Sequence, residues 1–584
     1  MSPQKRWRVA SPAPPEHLRR YVGMSPALAQ VLYNRGFTDP DDARRFLDAD
    51  DLGAGRFLAL STKSNTPIMR ALTRIRQAIT RKERIIIYGD FDADGVTSTA
   101  LLLLTLRYLG AHVDHYIPHR VDEGYGLNSE ALRKLAAAGC KLVITVDCGV
   151  RSMQEVEDGT AAGLDIIVTD HHTPGSLTPN AYAVINPKLT DFPYTEDMLA
   201  GVGVAFRIAE ALLTIHNGMG RNGGTGLTVD DLLDLVAIGT VADLAPLNRL
   251  ENRALVKRGL ARMQAAPRMG LVKLLEVAGL KTLDVDSDRI GYVIGPRINA
   301  AGRLASAETA LKLFISADEN EALELANELQ GLNLRRQELT HQAQELVRVR
   351  LIESGLEEAD LPPLIFASDR SFLPGIVGLV AGRLTESYFR PAIVLEEGEH
   401  ESRASCRSIP EFDITHALDQ CADLLVRHGG HAQAAGFTVV NENIQLLRDK
   451  LTNLAREALR GQPLQPVLEI DAELDVHQIS LDLIHEFDAL EPTGHGNPKP
   501  TLATRGARVL DWRFVGKEQK HVKLRLARAG QPPLDAIGFN MAELTGQLGE
   551  WVDVAYALEI NEWNGAQSPQ LRLLDLHTAS ARPR

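Results

Sequence analysis

Three aspartates stand at alternate positions in IIIYGDFDADGV, residues 85–96: Asp90, Asp92 and Asp94. Carboxylates this close repel one another and, when ionised and unpaired, raise one another's pKa. A divalent cation relieves that repulsion, and hard oxygen donors favour Mg²⁺, Mn²⁺ or Ca²⁺. An EF-hand shares the opening D-x-D-x-D-G, but its twelfth position would be Leu101, where a bidentate glutamate is needed. A strand, not a helix, also leads into it. A helix N-cap would account for one of the acids, not for three.

The elements that must hold these acids are readable around them. Ile85–Ile87 is a short β-branched run, the mark of a buried parallel strand. The hydroxyls of Thr97 and Ser98 follow the acids, and Ala100–Leu109 is helix-forming up to Gly110. A strand is expected at His112–Ile117 and a helix at Ser129–Ala138. Strand Leu142–Val146 ends at Asp147, and strand Asp165–Thr169 ends at Asp170. Alternating strand and helix implies a parallel sheet. Ligands of such sheets bind at the carboxyl ends of the strands, so Asp90–Asp94, Asp147 and Asp170 are expected along one edge. His171 and His172 follow Asp170 directly. Imidazole there tilts the metal from Mg²⁺ toward Mn²⁺.

The remaining chain divides by pattern. Residues 1–60 are Pro-rich, then helical and polar. An α/β unit is expected over 61–305, with Asp243 closing an apolar helix, where spacing alone favours a cap. Residues 306–355 read as one charged connecting helix stopped at Gly355, without a clean heptad. A second α/β unit spans 356–462 and carries two polar stretches. In SRASCRSIP, Ser405, Arg407 and Ser408 suit a phosphate, the alternative being a solvated loop. In RHGGHAQAAGF, the glycines before His431 allow close approach to a ligand, the alternative being a plain turn. Residues 463–584 look all-β, compatible with an OB-fold barrel. There Arg508, Arg513, Lys517, Lys520, Lys523 and Arg525 interleave with Trp512 and Phe514. Cations with aromatics suit single-stranded nucleic acid; an ordinary barrel surface with a buried tryptophan is the alternative.

Bulk properties exclude several classes. The 584 residues are 44% hydrophobic and 24% charged, as in globular chains. No stretch approaches the ~18 apolar residues of a membrane helix, and the N-terminus lacks the apolar core of a signal peptide. The four cysteines show no CxxC spacing, so neither disulfides nor zinc are expected, and a reducing cytoplasm is. A net charge of −13 argues mildly against nucleic acid, but acids gathered at metal sites would be offset by bound cations. Clustered acids with histidine fit two-metal hydrolysis of a phosphate ester, with ions roughly 3.5–4 Å apart and Asp147 bridging them.

The ordered motifs YGDFDADG, VDCG, TDHH, TVADLAP and GGHAQAAGF resemble the DHH phosphoesterase superfamily with its DHHA1 partner domain. IPHRVDEGYGLN, GPRINAAGRL, CRSIP and GHGNPKP narrow the resemblance to its bacterial single-stranded-DNA-specific exonucleases, over about residues 60–580. The resemblance implies 5′→3′ degradation of single-stranded DNA to mononucleotides, in recombination and repair, with Mn²⁺ or Mg²⁺. One ion would be held by Asp90, Asp92 and Asp147; the other by Asp94, Asp147, His171 and Asp243. His172 would contact the scissile phosphate, with Asp170 orienting the histidines. Arg120, Ser405 and Arg407 would capture the 5′ phosphate, and Arg303 and His431 would line the path of the strand. The implied partners are single-stranded DNA, a single-stranded-DNA-binding protein and a DNA helicase, with a monomer expected. The chain departs from the family at three positions: Leu373 for a usual histidine, Cys406 for a usual glycine, and His495 in GHGNP. Two rivals are a DHH enzyme for short or cyclic nucleotides, which usually lacks a basic barrel, and a non-catalytic replication scaffold, which loses its ligands.

Overall fold

The structure, a computed structural model, describes residues 5–579 apart from 51–52, 64, 121, 195, 197, 219–225, 354–360 and 529. The first apolar run forms strand Arg84–Tyr88, which pairs in parallel with His112–Tyr116 on one side and Cys140–Thr145 on the other. Asp165–Thr169 and Ala183–Ile185 extend the same five-stranded parallel sheet. Both faces are buried. Ile85, Ile87, Leu142 and Ile144 join one core; Ile86, Tyr88, Val143 and Val168 join the other. That two-sided burial is why these strands read as continuous apolar runs. Strand order reverses between Arg84–Tyr88 and Cys140–Thr145, which makes their carboxyl ends a switch point.

The helix after the first strand begins at Ala93, well before the expected Ala100, because Asp92 caps it; it ends at Tyr108 ahead of Gly110 in the left-handed region. Helices Gly201–Gly218, Leu233–Ala242, Leu250–Ala265 and Met269–Val277 follow. The connecting segment is not one helix. Glu308–Ile315 and Glu319–Glu353 are separate. Ser316 Oγ accepts from the Asp318 amide at 3.2 Å, and the Asp318 carboxylate accepts from the Glu321 amide at 2.8 Å. These side chains compete with helical hydrogen bonding and start a new helix. Gly355, the expected stop, lies outside the described residues.

The second unit is a mixed five-stranded sheet in the order Leu425–His431, Ala434–Val440, Glu401–Arg407, Ala392–Glu396, Ile365–Asp369. SRASCRSIP is therefore not a loop but largely strand, and GGHAQAAGF is a hairpin rather than a Gly-rich turn. Along Glu401–Arg407, Ser402, Ala404 and Cys406 are buried in one core. Arg403, Ser405 and Arg407 share the opposite face, against which helix Val377–Tyr388 packs.

The C-terminal region is a closed five-stranded barrel. Leu502–Val515 pairs with His521–Leu526 and closes against Trp551–Trp563, while Leu534–Gly538 pairs in parallel with Ala566–Thr578. Within the stretch expected to be all-β, Ala472–Glu473 joins the barrel sheet beside Leu502–Ala503, but Val467–Ile470 does not. Val467–Ile470 pairs in parallel with Arg6–Val9, and Leu28, Leu32 and Phe46 share the barrel's core. The Pro-rich N-terminal segment thus packs on the C-terminal barrel. The guanidinium of Arg253, fully buried on the catalytic unit, donates to Phe46 O (2.6 Å), Ala489 O (2.9 Å), Leu490 O (2.9 Å), Glu491 O (2.8 Å) and Pro492 O (3.1 Å). One side chain, with all its donors used, joins three parts of the chain.

Candidate metal centre

Each acid is fixed by a different local device. Asp92 is an N-cap whose Oδ1 accepts from the amides of Asp94 (3.0 Å) and Gly95 (3.1 Å). Asp94, one turn inside, receives the amides of Gly201 (2.6 Å) and Val202 (2.8 Å), the start of an 18-residue helix aimed at its carboxylate. Asp147 leaves its strand with φ +60, a left-handed conformation disfavoured for a side-chain-bearing residue. Asp170 accepts from the amides of His171 (2.7 Å), His172 (3.0 Å) and Val150 (2.9 Å), and lies 2.8 Å from Nδ1 of His172. Asp243 caps the C-terminal end of Leu233–Ala242.

These devices converge. His171 Nε2 is 3.0 Å from Asp147, 3.6 Å from Asp243 and 3.7 Å from Asp94. Two ligand groups, Asp90–Asp92–Asp147 and Asp94–His171–Asp243, each hold their donor atoms within 4.8 Å of one another; Asp147–His171–His172 forms a third. Asp90 Oδ1, Asp147 Oδ1 and His171 Nε2 are buried and have no hydrogen-bond partner. An orphaned buried acceptor is costly, and here each of the three belongs to one of these ligand groups. Burial and the neighbouring aspartates push Asp90 and Asp147 well above the usual carboxylate range, Asp94 up to about 7 and Asp243 up to about 9. Burial holds His171 down to about 3, so its ring is neutral with a free lone pair. Hydrogen bonding and charge from His172 outweigh burial and keep Asp170 below its ordinary value. Oxygen donors, one neutral imidazole and repelling carboxylates fit divalent cations.

Glycines make the convergence sterically possible. A Cβ on Gly95 would stand 2.6 Å from that of Asp90, and one on Gly239 would stand 2.8 Å from Asp94 Oδ1. Asn299, in INAAG, accepts the amide of Ala93 at 2.8 Å and ties the acid-bearing turn to helix Gly295–Leu304. Tyr125 reaches Asp147 and His172. In the sequence Asn299 and Tyr125 stand only within the family-like strings GPRINAAGRL and IPHRVDEGYGLN, without a chemical cue of their own.

The residues expected to bind the substrate, Arg120, Ser405 and Arg407 at the 5′ phosphate and Arg303 and His431 along the strand, fall into two sets. Arg120 lies over the ring of Phe91 at 4.6 Å, with Asp90 and Asp92 near enough to oppose the lowering of its pKa by burial. Arg303 is half-buried; desolvation, then the neighbouring Arg120, Arg336 and Arg407, bring it down to about 10. Arg407 donates to Ser405 Oγ at 3.2 Å, and a Cβ on Gly378 would meet that oxygen at 3.0 Å. Arg120, Arg303, Ser405 and Arg407 thus gather across the gap between the two α/β units. His431 stands apart, exposed, two strands from Arg407 through Ala434. Leu373 is exposed near the same gap, Cys406 points away into the core, and His495 O accepts from the Leu247 amide.

The basic face expected on the barrel is largely neutralised. Arg508 pairs with Glu550, Lys520 with Glu518, Lys523 with Asp535 and Arg525 with Asp511. Trp512 is not buried; it and Phe514 lie exposed in edge-to-face contact at 5.3 Å. A cleft of about 1000 Å³ runs between catalytic unit and barrel, from Val241 and Leu244 beside Asp243 to Tyr292, Phe487, His495 and Leu558. Among the described residues no helix is long and apolar enough to cross a membrane, and all four cysteines are free and buried.

Comparison with known proteins agrees with this layout. The model of the DHH family N-terminal domain matches residues 84–240, that of the DHHA1 domain 362–457, and that of the RecJ OB domain 470–575. The chain is 37% identical over 581 residues to the single-stranded-DNA-specific exonuclease RecJ of Bacillus subtilis, covering 98% of this chain and 71% of that protein. It is 35% identical over 552 residues to the same-named protein of Escherichia coli, covering 91% and 95%. The crystal structure of RecJ in complex with Mn²⁺ from Thermus thermophilus superimposes with a TM-score of 0.81 at 31% identity, covering 99% of this chain and 80% of that one. The corresponding Mg²⁺ complex gives 0.76 at 30%, covering 100% and 80%.

Proposed function

Because the chain belongs to the RecJ family of single-stranded-DNA-specific exonucleases, we propose a division of labour among its residues. The protein is a metal-dependent exonuclease acting on single-stranded DNA, with Mn²⁺ or Mg²⁺ as cofactor. In our reading Asp90, Asp92 and Asp147 would hold one ion, and Asp94, Asp147, His171 and Asp243 would hold the other. Bound there, the ions supply Lewis acidity to the phosphoryl group and lower the pKa of water. The observation that carries this reading is the trio of orphaned buried atoms on Asp90, Asp147 and His171.

His172 turns Nδ1 to Asp170, which leaves Nε2 for a non-bridging oxygen of the scissile phosphate. Burial weighs against its charged form, but Asp170, by hydrogen bond and charge, raises it above an ordinary histidine, which favours a ring that can donate to that oxygen. Arg120, Arg303, Ser405 and Arg407 bind the 5′ terminal phosphate, so the strand is measured from that end and cut 5′→3′ into mononucleotides. His431 and the exposed Trp512 and Phe514 lie farther along the strand, the aromatics offering faces to bases. Such an activity serves recombination and repair in the cytoplasm, alongside a helicase and a single-stranded-DNA-binding protein, and a monomer suffices for it.

The test is a single strand labelled at its 5′ end, incubated with Mn²⁺ or with EDTA. Labelled mononucleotide is expected with Mn²⁺ alone. Label retained on shortening strands would reverse the polarity; no cleavage with any divalent ion would reject the metal site.

A further inference from the structure

The loop between strand His112–Tyr116 and helix Ser129–Ala137 is shaped by its own residues. Glu123 accepts from the hydroxyl of Tyr116 and, at 2.8 Å, from the amide of His119. Gly124 and Gly126, with φ +81 and +90, turn the chain in the left-handed region on either side of Tyr125. Tyr88 then donates to Gly126 O at 3.3 Å. The result fixes Tyr125 edge-on against Phe91 (6.4 Å, 76°) and His172 (5.6 Å, 68°).

Its hydroxyl is 3.1 Å from Asp147 O, and lies against the His172 ring at 3.1 Å from Nδ1 and 3.4 Å from Nε2. The proton positions follow by elimination. The Asp170 carboxylate, 2.8 Å from the same Nδ1, only accepts, so Nδ1 carries the hydrogen. That hydrogen goes to Asp170; Tyr125 gives its own proton to Asp147 O, and its oxygen rests against the side of the His172 ring. Asp170 alone would leave the imidazole free to swing about one hydrogen bond. A second polar contact, approaching the side of the ring from a different element, limits that swing.

We propose that Tyr125 is a positioning residue of the hydrolysis: its hydroxyl, anchored on Asp147 O, holds the His172 ring so that Nε2 faces the scissile phosphate. This rests on the role given to His172 above. Its effect lies on the bond-breaking step and not on substrate capture, because the hydroxyl is engaged within the protein.

A double-mutant cycle on the full chain separates the two ideas. Wild type, Tyr125→Phe, His172→Ala and the double variant are compared with Mn²⁺ on a 5′-phosphorylated oligothymidylate. Tyr125→Phe is expected to lower kcat about 10-fold, the cost of losing one polar contact that fixes the ring, with KM within about 2-fold. In the His172→Ala background the same change should cost nothing more. An equal loss in both backgrounds, or no loss in either, overturns the proposal. Wild-type activity of His172→Ala alone would instead remove the role of His172, and this inference with it.

Discussion

A Cβ on Gly201 would stand 2.7 Å from the Cβ of Asp147. The helix that aims its first amides at Asp94 must therefore begin at a residue without a side chain, because Asp147 lies across it. Gly201→Ala should push helix and strand tip apart, at an overpacking cost of about 1–3 kcal/mol. We expect Mn²⁺ affinity to fall at least about 10-fold, since the two ligand groups share Asp147. Calorimetric titration with Mn²⁺ checks this; unchanged affinity would show that the site tolerates the shift.

Asp147→Asn keeps the shape and removes the charge. Cleavage should fall more than about 100-fold, because both proposed ions lose one ligand. In EDTA the same variant should melt no lower than wild type, since a buried, repelled carboxylate contributes nothing to stability. Nuclease assays and thermal melts in EDTA read the two effects separately.

The metal-free protein should lose stability as pH rises. Asp94 and Asp243 have folded-state values of about 7 and about 9, against 3.8 for an ordinary aspartate. Between 3.8 and those values the native state holds more protons than the unfolded chain. Unfolding free energy therefore declines with pH through that window. Melting temperature in EDTA is expected to fall from pH 5 to pH 9, and saturating Mn²⁺ to abolish or invert the slope by binding the ionised acids. A flat profile in EDTA would mean the acids are not crowded in solution.

Arg407→Ala removes one guanidinium from the gap. On strands with a 5′ phosphate, kcat/KM should fall about 10- to 100-fold, the range for a charged hydrogen bond. Strands ending in a 5′ hydroxyl should change little. Equal losses on both ends would assign Arg407 to the strand's interior instead.

Much of this site is legible in the chain because parallel strands announce themselves. Arg84–Tyr88, Cys140–Thr145 and Asp165–Thr169 are apolar runs, and an acid just beyond each one has only the sheet edge to occupy. Asp243 is different: a cap on an apolar helix carries no sign of what it faces, and only family motifs point to it. Gly201 and Asn299 act through backbone amides and close approach, which residue type does not encode. The pairing of Arg6–Val9 with Val467–Ile470 joins segments from opposite ends of the chain, and nothing local foretells it. The cations on the barrel were read without their partners. Glu550 and Asp535 come from other strands and loops, so only the folded arrangement reveals a nearly balanced surface.

Arg253 holds the N-terminal segment and the approach to the barrel through carbonyl oxygens and the face of the Phe46 ring, with no carboxylate among its hydrogen-bond acceptors. Carbonyls do not titrate, and bonds buried this deeply are little weakened by salt. Contacts to DNA phosphates, in contrast, loosen steeply as salt rises. The fastening of the barrel beside the acids is therefore insulated from the conditions that govern substrate affinity. Changes in ionic strength should alter how tightly the enzyme grips a strand while leaving the width of the passage untouched.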